Sequence, residues 1–351
     1  MKIALCFLIS YEHKLNKEQI WRDWIEPNKY IINVYFHYKD YNLITSEWIK
    51  KHTLPKNYLA NTNYLHVVPA YLSLIQYAIT NDYNNQWFCF LTESCVPIIS
   101  PLRFQELFME NYSLSFMSWR EAWWNINFVR RANLHHLQPQ YRLANCPWFI
   151  LNRQDVCRCI HFSKKYSIMY ELICKGNVAN ESIFAIMLHN QNSLKNVIND
   201  DTTATDWSRM MSSTSPYLFK DGSKQDIQFI DDCLKNKKYT IFLRKVDSEF
   251  PENILINYIK KEDNNLSIIQ KRRRRIFWLH KKMILNKYSY LPTYLYKYSV
   301  NYISIKFFYF IKNYYFFLFF FLFLFYFFIF LLYHYISNIS NISTYYHTQY
   351  K

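Results

Sequence analysis

The chain has 351 residues and a formal net charge of +16, with 32 Tyr, 29 Phe and 10 Trp but only 2 Gly. Two glycines cannot build the G-x-G-x-x-G turn of a dinucleotide site or the G-x-x-x-x-G-K-[ST] phosphate loop. A content of 51% hydrophobic residues excludes a wholly disordered chain.

Residues 3–9 (IALCFLI) form a short apolar run with no small-residue cleavage site after it. It reads as a buried strand rather than a signal peptide. Residues 18–24 read as a helix with paired Trp21 and Trp24. Residues 31–36 (IINVYF) are the second predicted strand, and residues 64–68 a third, ending at Pro69. Pro69 then opens a helix, where its missing N–H does no harm. Leu72, Ile75, Ala78 and Ile79 share one face of that helix. Residues 87–91 (WFCFL) read as a buried strand, followed by the polar turn Thr92-Glu93-Ser94. Residues 103–109 read as a helix, and residues 115–119 and 148–151 as further strands. This alternation predicts an α/β domain over residues 1–258 with a mixed, mostly parallel sheet. Ligands of such sheets sit beyond the carboxyl ends of strands, the position of residues 92–95 and of the loops after residue 119.

The charge is unevenly spread. Residues 1–258 carry 28 Lys/Arg against 24 Asp/Glu, whereas residues 259–351 carry 14 against 2. Residues 314–333 (YYFFLFFFLFLFYFFIFLLY) hold no charge, and twenty helical residues span about 30 Å, the thickness of a bilayer core. The expectation is a basic linker over 259–305, a membrane-anchoring helix over 306–333 and a polar tail over 334–351. The basic flank, including Arg272, Arg273, Arg274, Arg275, Lys306 and Lys312, predicts a cytosolic catalytic side. A lipid surface accounts for this charge better than nucleic acid does. The eight cysteines show no C-x2-C pair, so they read as reduced core thiols. Asp200-Asp201 lacks an evident third ligand and is not read as a metal site; His135-His136 reads as surface.

Several short segments, in order, resemble the Core-2/I-branching β-1,6-N-acetylglucosaminyltransferase family. KIALCFLIS resembles its opening strand, and NYLHVVPAYLSLIQYAI its next strand and helix. WFCFLTESCVPI resembles F-x-x-L-S-E-S-C-x-P-L, and CPWFILNR resembles Q-W-F-V-L-x-R. NVANESIFAIML resembles P-D-E-x-x-F-x-T-L, TATDWSR resembles T-x-x-D-W-S, and FLRKVDSEF resembles L-F-A-R-K-F-D. The resemblance covers roughly residues 1–250. It implies a GT-A-like glycosyltransferase that inverts the anomeric centre, uses a nucleotide-sugar donor and needs no metal or other cofactor.

The residues fit that chemistry. The chain contains no Asp-x-Asp, so fixed cations must neutralise a departing diphosphate. Lys245 matches the family's diphosphate-contacting lysine, and Arg244 beside it suits bidentate phosphate contact. Their bland reading is a pair of surface charges beside Asp247 and Glu249. The resemblance places no residue for the family's other diphosphate arginine. Glu181 matches the catalytic glutamate, the base that takes the acceptor hydroxyl proton. Asn180 replaces the family's usual Asp, which lessens like-charge repulsion at Glu181; Asn180 also reads as a cap for a helix starting at Glu181. Glu93 and Ser94, with Cys95, are expected at the nucleotide-sugar pocket. Asp206 and Trp207 are expected to contact the acceptor or donor sugar. Trp119, Trp123, Trp124, Arg130, Arg131 and Arg142 lie where the family varies with acceptor, and read as structural.

The expected reaction moves a sugar, N-acetylglucosamine from its UDP donor, onto a carbohydrate hydroxyl. Two other classes fit the same chain: a membrane-tethered carbohydrate-binding protein without catalysis, and a basic membrane-associated scaffold. The family resemblance places the catalytic side in the Golgi or ER lumen, against the cytosolic side that the flanking charge predicts.

Overall fold

The computed structural model describes residues 1–260. All but the first two residues of the basic linker, the apolar run 314–333 and the polar tail lie outside the described residues. Among the described residues no helix is long and apolar enough to cross a membrane.

In chain order the strands are β1 (Lys2–Leu8), β2 (Ile32–His37), β3 (Asn85–Thr92), β4 (Val96–Pro97), β5 (Trp119–Glu121), β6 (Leu143–Asn145), β7 (Ile150–Asn152), β8 (Thr203–Thr205) and β9 (Phe242–Arg244). The α-helices are α1 (Glu18–Ile25), α2 (Glu47–Lys51), α3 (Val68–Asn81), α4 (Pro101–Asn111), α5 (Ile126–Val129), α6 (Arg153–Lys165), α7 (Ser167–Cys174), α8 (Ile183–Asn190), α9 (Lys224–Asn236) and α10 (Glu252–Lys260). The main sheet runs β2-β1-β3-β7. β1 pairs parallel with β2 and β3, and β7 closes the edge antiparallel to β3. The mixed, mostly parallel sheet is as the alternating sequence predicts.

Both faces of this sheet are covered, which is why β1 and β3 read as continuous apolar runs rather than alternating ones. Ile3, Leu5 and Phe7 of β1, with Trp87, Cys89 and Leu91 of β3, face a core shared with α1, α4 and α10. Ala4 and Cys6, with Phe88 and Phe90, face a second core shared with α3, α6 and α8. The result is a three-layer α/β/α arrangement.

A smaller sheet, β4-β9-β8, sits beside the first layer. Trp21 of α1 joins the two sheets. Its ring lies edge-on to Phe7 at 4.9 Å between centroids and against Phe242 of β9 at 5.7 Å. Its indole N–H donates to the carbonyl of Cys95 at 3.0 Å, and that of Trp24 donates to Ile99 at 2.8 Å. The two tryptophans therefore hold the segment that follows β3 and set β9 next to it.

Two sequence readings are corrected. Residues 64–68 form no strand: Asn63 and His66 make an isolated bridge, and Val68 is already helical, with Pro69 in the first turn of α3. Proline's fixed φ suits that turn and ends the extended run earlier. Residues 115–119 are not a strand as a whole. Phe116 makes isolated bridges to Ile150 and Ile198, and the paired strand starts only at Trp119. All eight cysteines are free, four of them buried.

Trp21→Phe keeps a ring but leaves the buried Cys95 carbonyl without its donor, and is expected to cost about 1–3 kcal/mol. Trp21→Ala also opens a cavity and is expected to cost about 3–5 kcal/mol. Urea unfolding of both variants checks this; equal losses would mean that the hydrogen bond contributes nothing.

Candidate functional site

The turn after β3 and the end of β9 are tied together through the backbone. Val246 N–H donates to the Ser94 carbonyl at 2.9 Å. Asn16 bridges them, its N–H donating to the Glu93 carbonyl at 3.1 Å and its side-chain amide to the Val246 carbonyl at 2.8 Å. The Ser94 hydroxyl is buried against the Thr92 hydroxyl at 3.2 Å. These bonds set Glu93, Ser94, Arg244 and Lys245 in one place, at the carboxyl ends of β3 and β9.

Arg244 and Lys245 are both half-buried, and neither side chain has a hydrogen bond or ion pair among the described residues. Their acidic neighbours in the chain are engaged elsewhere. Glu249 pairs with Lys220 at 2.9 Å, and Asp247 accepts from the Glu249 N–H at 2.9 Å. Arg244 instead lies over the Trp148 ring at 4.5 Å, with its buried Nε donor unpartnered. A stacked guanidinium keeps its in-plane donors free for an anion.

Glu181 ends a short 3-10 turn, Ala179–Glu181. Its carboxylate pairs with Arg131 at 3.1 Å. Burial pushes its pKa above the ordinary glutamate value, and the charges of Arg131 and Arg244 pull it part of the way back. Glu93 behaves alike: burial pushes it up, while its own backbone N–H and the charges of Arg244 and Lys245 oppose the rise. The charge of Arg244 thus acts on both carboxylates. Asn180 does not cap a helix. It is buried inside the 3-10 turn, its carbonyl accepts from Asn145 at 2.9 Å, and α8 starts only at Ile183.

Strained backbone gathers at this turn. Val178, immediately before it, has φ +54°, a left-handed conformation that disfavours a β-branched residue. Arg130, Ala132 and Asn133 have φ of +53°, +52° and +52°. The two strained segments meet: Ala132 N–H donates to the Asn177 carbonyl at 2.9 Å, and the Asn133 amide to the Leu172 carbonyl at 2.8 Å. Gly176 lets them approach, since a Cβ there would lie 2.4 Å from the Asn133 nitrogen. Such conformations cost roughly 1–3 kcal/mol each and concentrate at functional sites. Here they fix Arg131 against Glu181.

Asp206 and Trp207 follow β8, whose Thr205 pairs in register with Arg244. Both Asp206 oxygens are occupied. One accepts from the Ser208 N–H and hydroxyl at 2.9 and 2.7 Å, the other from Arg209 Nε at 2.6 Å. Burial alone would raise its pKa, but these bonds hold it below the ordinary value. Arg209 also pairs with Asp226 at 2.8 Å and stacks over Tyr217 at 3.8 Å. Asp206 therefore braces the loop, while Trp207 is half-exposed beside it. Asp201 pairs with Lys237 at 2.9 Å, and no group of three potential metal ligands occurs among the described residues.

Arg131 and Trp148 are the contacts that sequence reasoning missed. Trp148 lies in a segment that resembled the family and Arg131 in one that read as structural, but the partners concerned, Arg244 and Glu181, are 50 residues or more away in the chain. No local signal announces such pairs.

Gly176→Ala is expected to force the 130–133 segment outward and cost about 1–3 kcal/mol, the usual range for overpacking. Thermal unfolding measures the loss. An unchanged melting temperature would show that the close approach is not required.

A family model described as "Core-2/I-Branching enzyme" matches residues 5–231. The match includes Glu93, Ser94, Glu181, Asp206 and Trp207 and stops before Arg244 and Lys245. A search among curated proteins finds no match. With nearly two thirds of its length matched, and with the turn after β3 and the Glu181 turn both inside that match, the chain belongs to the Core-2/I-branching enzyme family, a family of glycosyltransferases.

Proposed function

We propose that the protein transfers a sugar with inversion and without a metal, moving N-acetylglucosamine from its UDP donor to a carbohydrate hydroxyl in a β-1,6 linkage. The observation that carries this reading is the pair of neighbouring cations, Arg244 and Lys245, left without direct anionic partners among the described residues, with the charge of Arg244 reaching the half-buried Glu181 carboxylate. A carboxylate raised by burial is a better proton acceptor than a solvated one. Two adjacent cations suit the charge that grows on a leaving diphosphate.

In this reading Glu181 takes the proton of the acceptor hydroxyl while that oxygen attacks the anomeric carbon. The bond from that carbon to the diphosphate oxygen breaks, and its electron pair leaves with the diphosphate. Lys245 and Arg244 hold the departing charge. The absence of Asp-x-Asp from the sequence supports giving this work to side chains. Glu93 and Ser94 shape the donor end through the turn that binds Val246. Trp207 offers an apolar face to a sugar ring. The uncharged run 314–333 supports tethering at a membrane.

Glu181→Gln is expected to lower transfer by about 10²–10⁴-fold while UDP binding persists. The ionised form of Glu181 is the active one, and its pKa is raised, so activity should fall as pH drops through a value above the ordinary glutamate range. Arg131→Gln removes a charge that lowers this pKa and should move the acid limb to higher pH. A limb that stays at the ordinary glutamate value in both proteins would remove Glu181 from the role of base.

The topology has its own test in the Asn-x-Ser sequons at Asn111, Asn265, Asn338 and Asn341. Glycosylation at Asn338 and Asn341, with none at Asn111 or Asn265, is the pattern expected if the catalytic side faces the cytosol. The reverse pattern places the catalytic side in the lumen.

A further inference from the structure

Two buried histidines hold together the loops that follow β1 and β2. His13 and His37 are only 1% and 3% exposed. His13 takes a left-handed φ of +55°. Its Nε2 accepts from the Lys39 and Asp40 N–H groups at 3.3 and 2.9 Å. A backbone N–H can only donate, so Nε2 carries no proton. Nδ1 carries it instead and donates to the Tyr11 carbonyl at 2.5 Å. His37, the last residue of β2, likewise accepts the Ala60 N–H at its Nε2, at 3.1 Å. An imidazolium has two donors and no acceptor. Protonation of either ring therefore breaks these bonds and sets one N–H against another.

The same loops reach the candidate site. Ile9 N–H donates to the His37 carbonyl at 3.3 Å, so the two histidine segments meet at the end of β1. The Ser10 backbone donates toward the Glu93 carboxylate, and Asn16 binds the Glu93 and Val246 carbonyls.

We propose that His13 and His37 form an acid-released clamp beside Glu93. Neutral rings hold residues 10–16, 38–43 and the chain at Ala60 closed on the donor end, and protonated rings let them part. This rests on Glu93 and Lys245 marking the donor end. The charged groups on the clamped segments are Glu12, Lys14, Lys39, Asp40 and Lys56, all exposed. The Asp40 carboxylate accepts from the Asn42 N–H at 2.9 Å. The nearby His52 donates from Nδ1 to the Trp48 carbonyl at 2.8 Å, a bond that protonation keeps. Burial, aided by the charge of Lys39, pushes the His37 pKa down to about 4, against the Ala60 hydrogen bond. The clamp thus has its full strength above the ordinary histidine value and loses it as pH falls from there to about 4. Between pH 7.5 and 5.5, His37 alone shifts the balance toward release by about tenfold. Histidine pairs of this kind act as switches at pH 5–6.

Amide hydrogen exchange of the full-length chain at pH 7.5 and 5.5, corrected for the intrinsic rate, tests this directly. Protection at Ala60 is expected to fall about tenfold at the lower pH, with Lys39 and Asp40 falling too and Phe88 and Phe90 of β3 unchanged. His13→Gln and His37→Gln put an amide oxygen where Nε2 lies and do not titrate. The double variant should therefore hold its protection at both pH values. Saturating UDP at pH 5.5 should restore protection in wild type. Protection that does not change with pH in wild type would overturn the proposal, whatever the variants do. A change that persists in the double variant would also overturn it and assign the titration to Glu93. UDP that binds without restoring protection would remove the coupling to the donor end. Acid-dependent protection that needs the two histidines, in a chain that fails to bind UDP, would keep the clamp and remove the donor reading.

Discussion

The proposed site depends on two cations, Arg244 and Lys245, that have no direct anionic partner among the described residues. A charged side chain withdrawn from water needs an opposite charge, and removing that partner is more costly than never having had it. Several half-buried basic groups of this domain meet the rule directly: Lys2 with Asp82, Arg158 with Asp155, Arg209 with Asp206 and Asp226. Arg244 and Lys245 do not. They lie within reach of the fields of Glu93 and, for Arg244, of Glu181, but no carboxylate among the described residues touches them. An anion seated between them would complete the arrangement.

The fold holds this incomplete pair in place by packing. β9 is short and belongs to a small sheet, and its position depends on Trp21, which contacts Phe7 on one side and Phe242 on the other. The same indole anchors the chain just after the Glu93 turn. Tertiary packing of α1 thus sets the distance between two loops 150 residues apart in sequence. Around Glu181, strain serves the same end. Val178, Arg130, Ala132 and Asn133 keep left-handed backbone conformations only because neighbouring hydrogen bonds and Gly176 enforce them. That enforcement brings Arg131 to Glu181 and limits where the carboxylate can move.

Much of the sheet was legible because its residues obey simple rules. Runs such as 3–9 and 87–91 are apolar throughout since both sheet faces are covered, and their length fits strands rather than helices. Pro69 marked a helix start correctly but misled at the preceding residues, where a five-residue apolar run turned out to be a bridge leading into the helix. Glu93 and Ser94 were placed by the end of the strand at 87–91, and Arg244 and Lys245 by family resemblance alone. Arg131 was out of reach. It belongs to a segment with no regular periodicity, and its partner across 50 residues is set by strained turns that sequence patterns do not encode. Asp206 shows the converse: a recognisable motif residue whose carboxylate is already taken up by Ser208 and Arg209.

Calorimetric titration of UDP and uridine into the full-length chain in EDTA bears most directly on the cation pair. The account predicts that UDP binds without divalent ions and more tightly than uridine. It also predicts that Lys245→Gln loses most of the UDP advantage while leaving uridine affinity unchanged. Equal affinity for UDP and uridine, or UDP binding that appears only when Mn²⁺ is added, would contradict it.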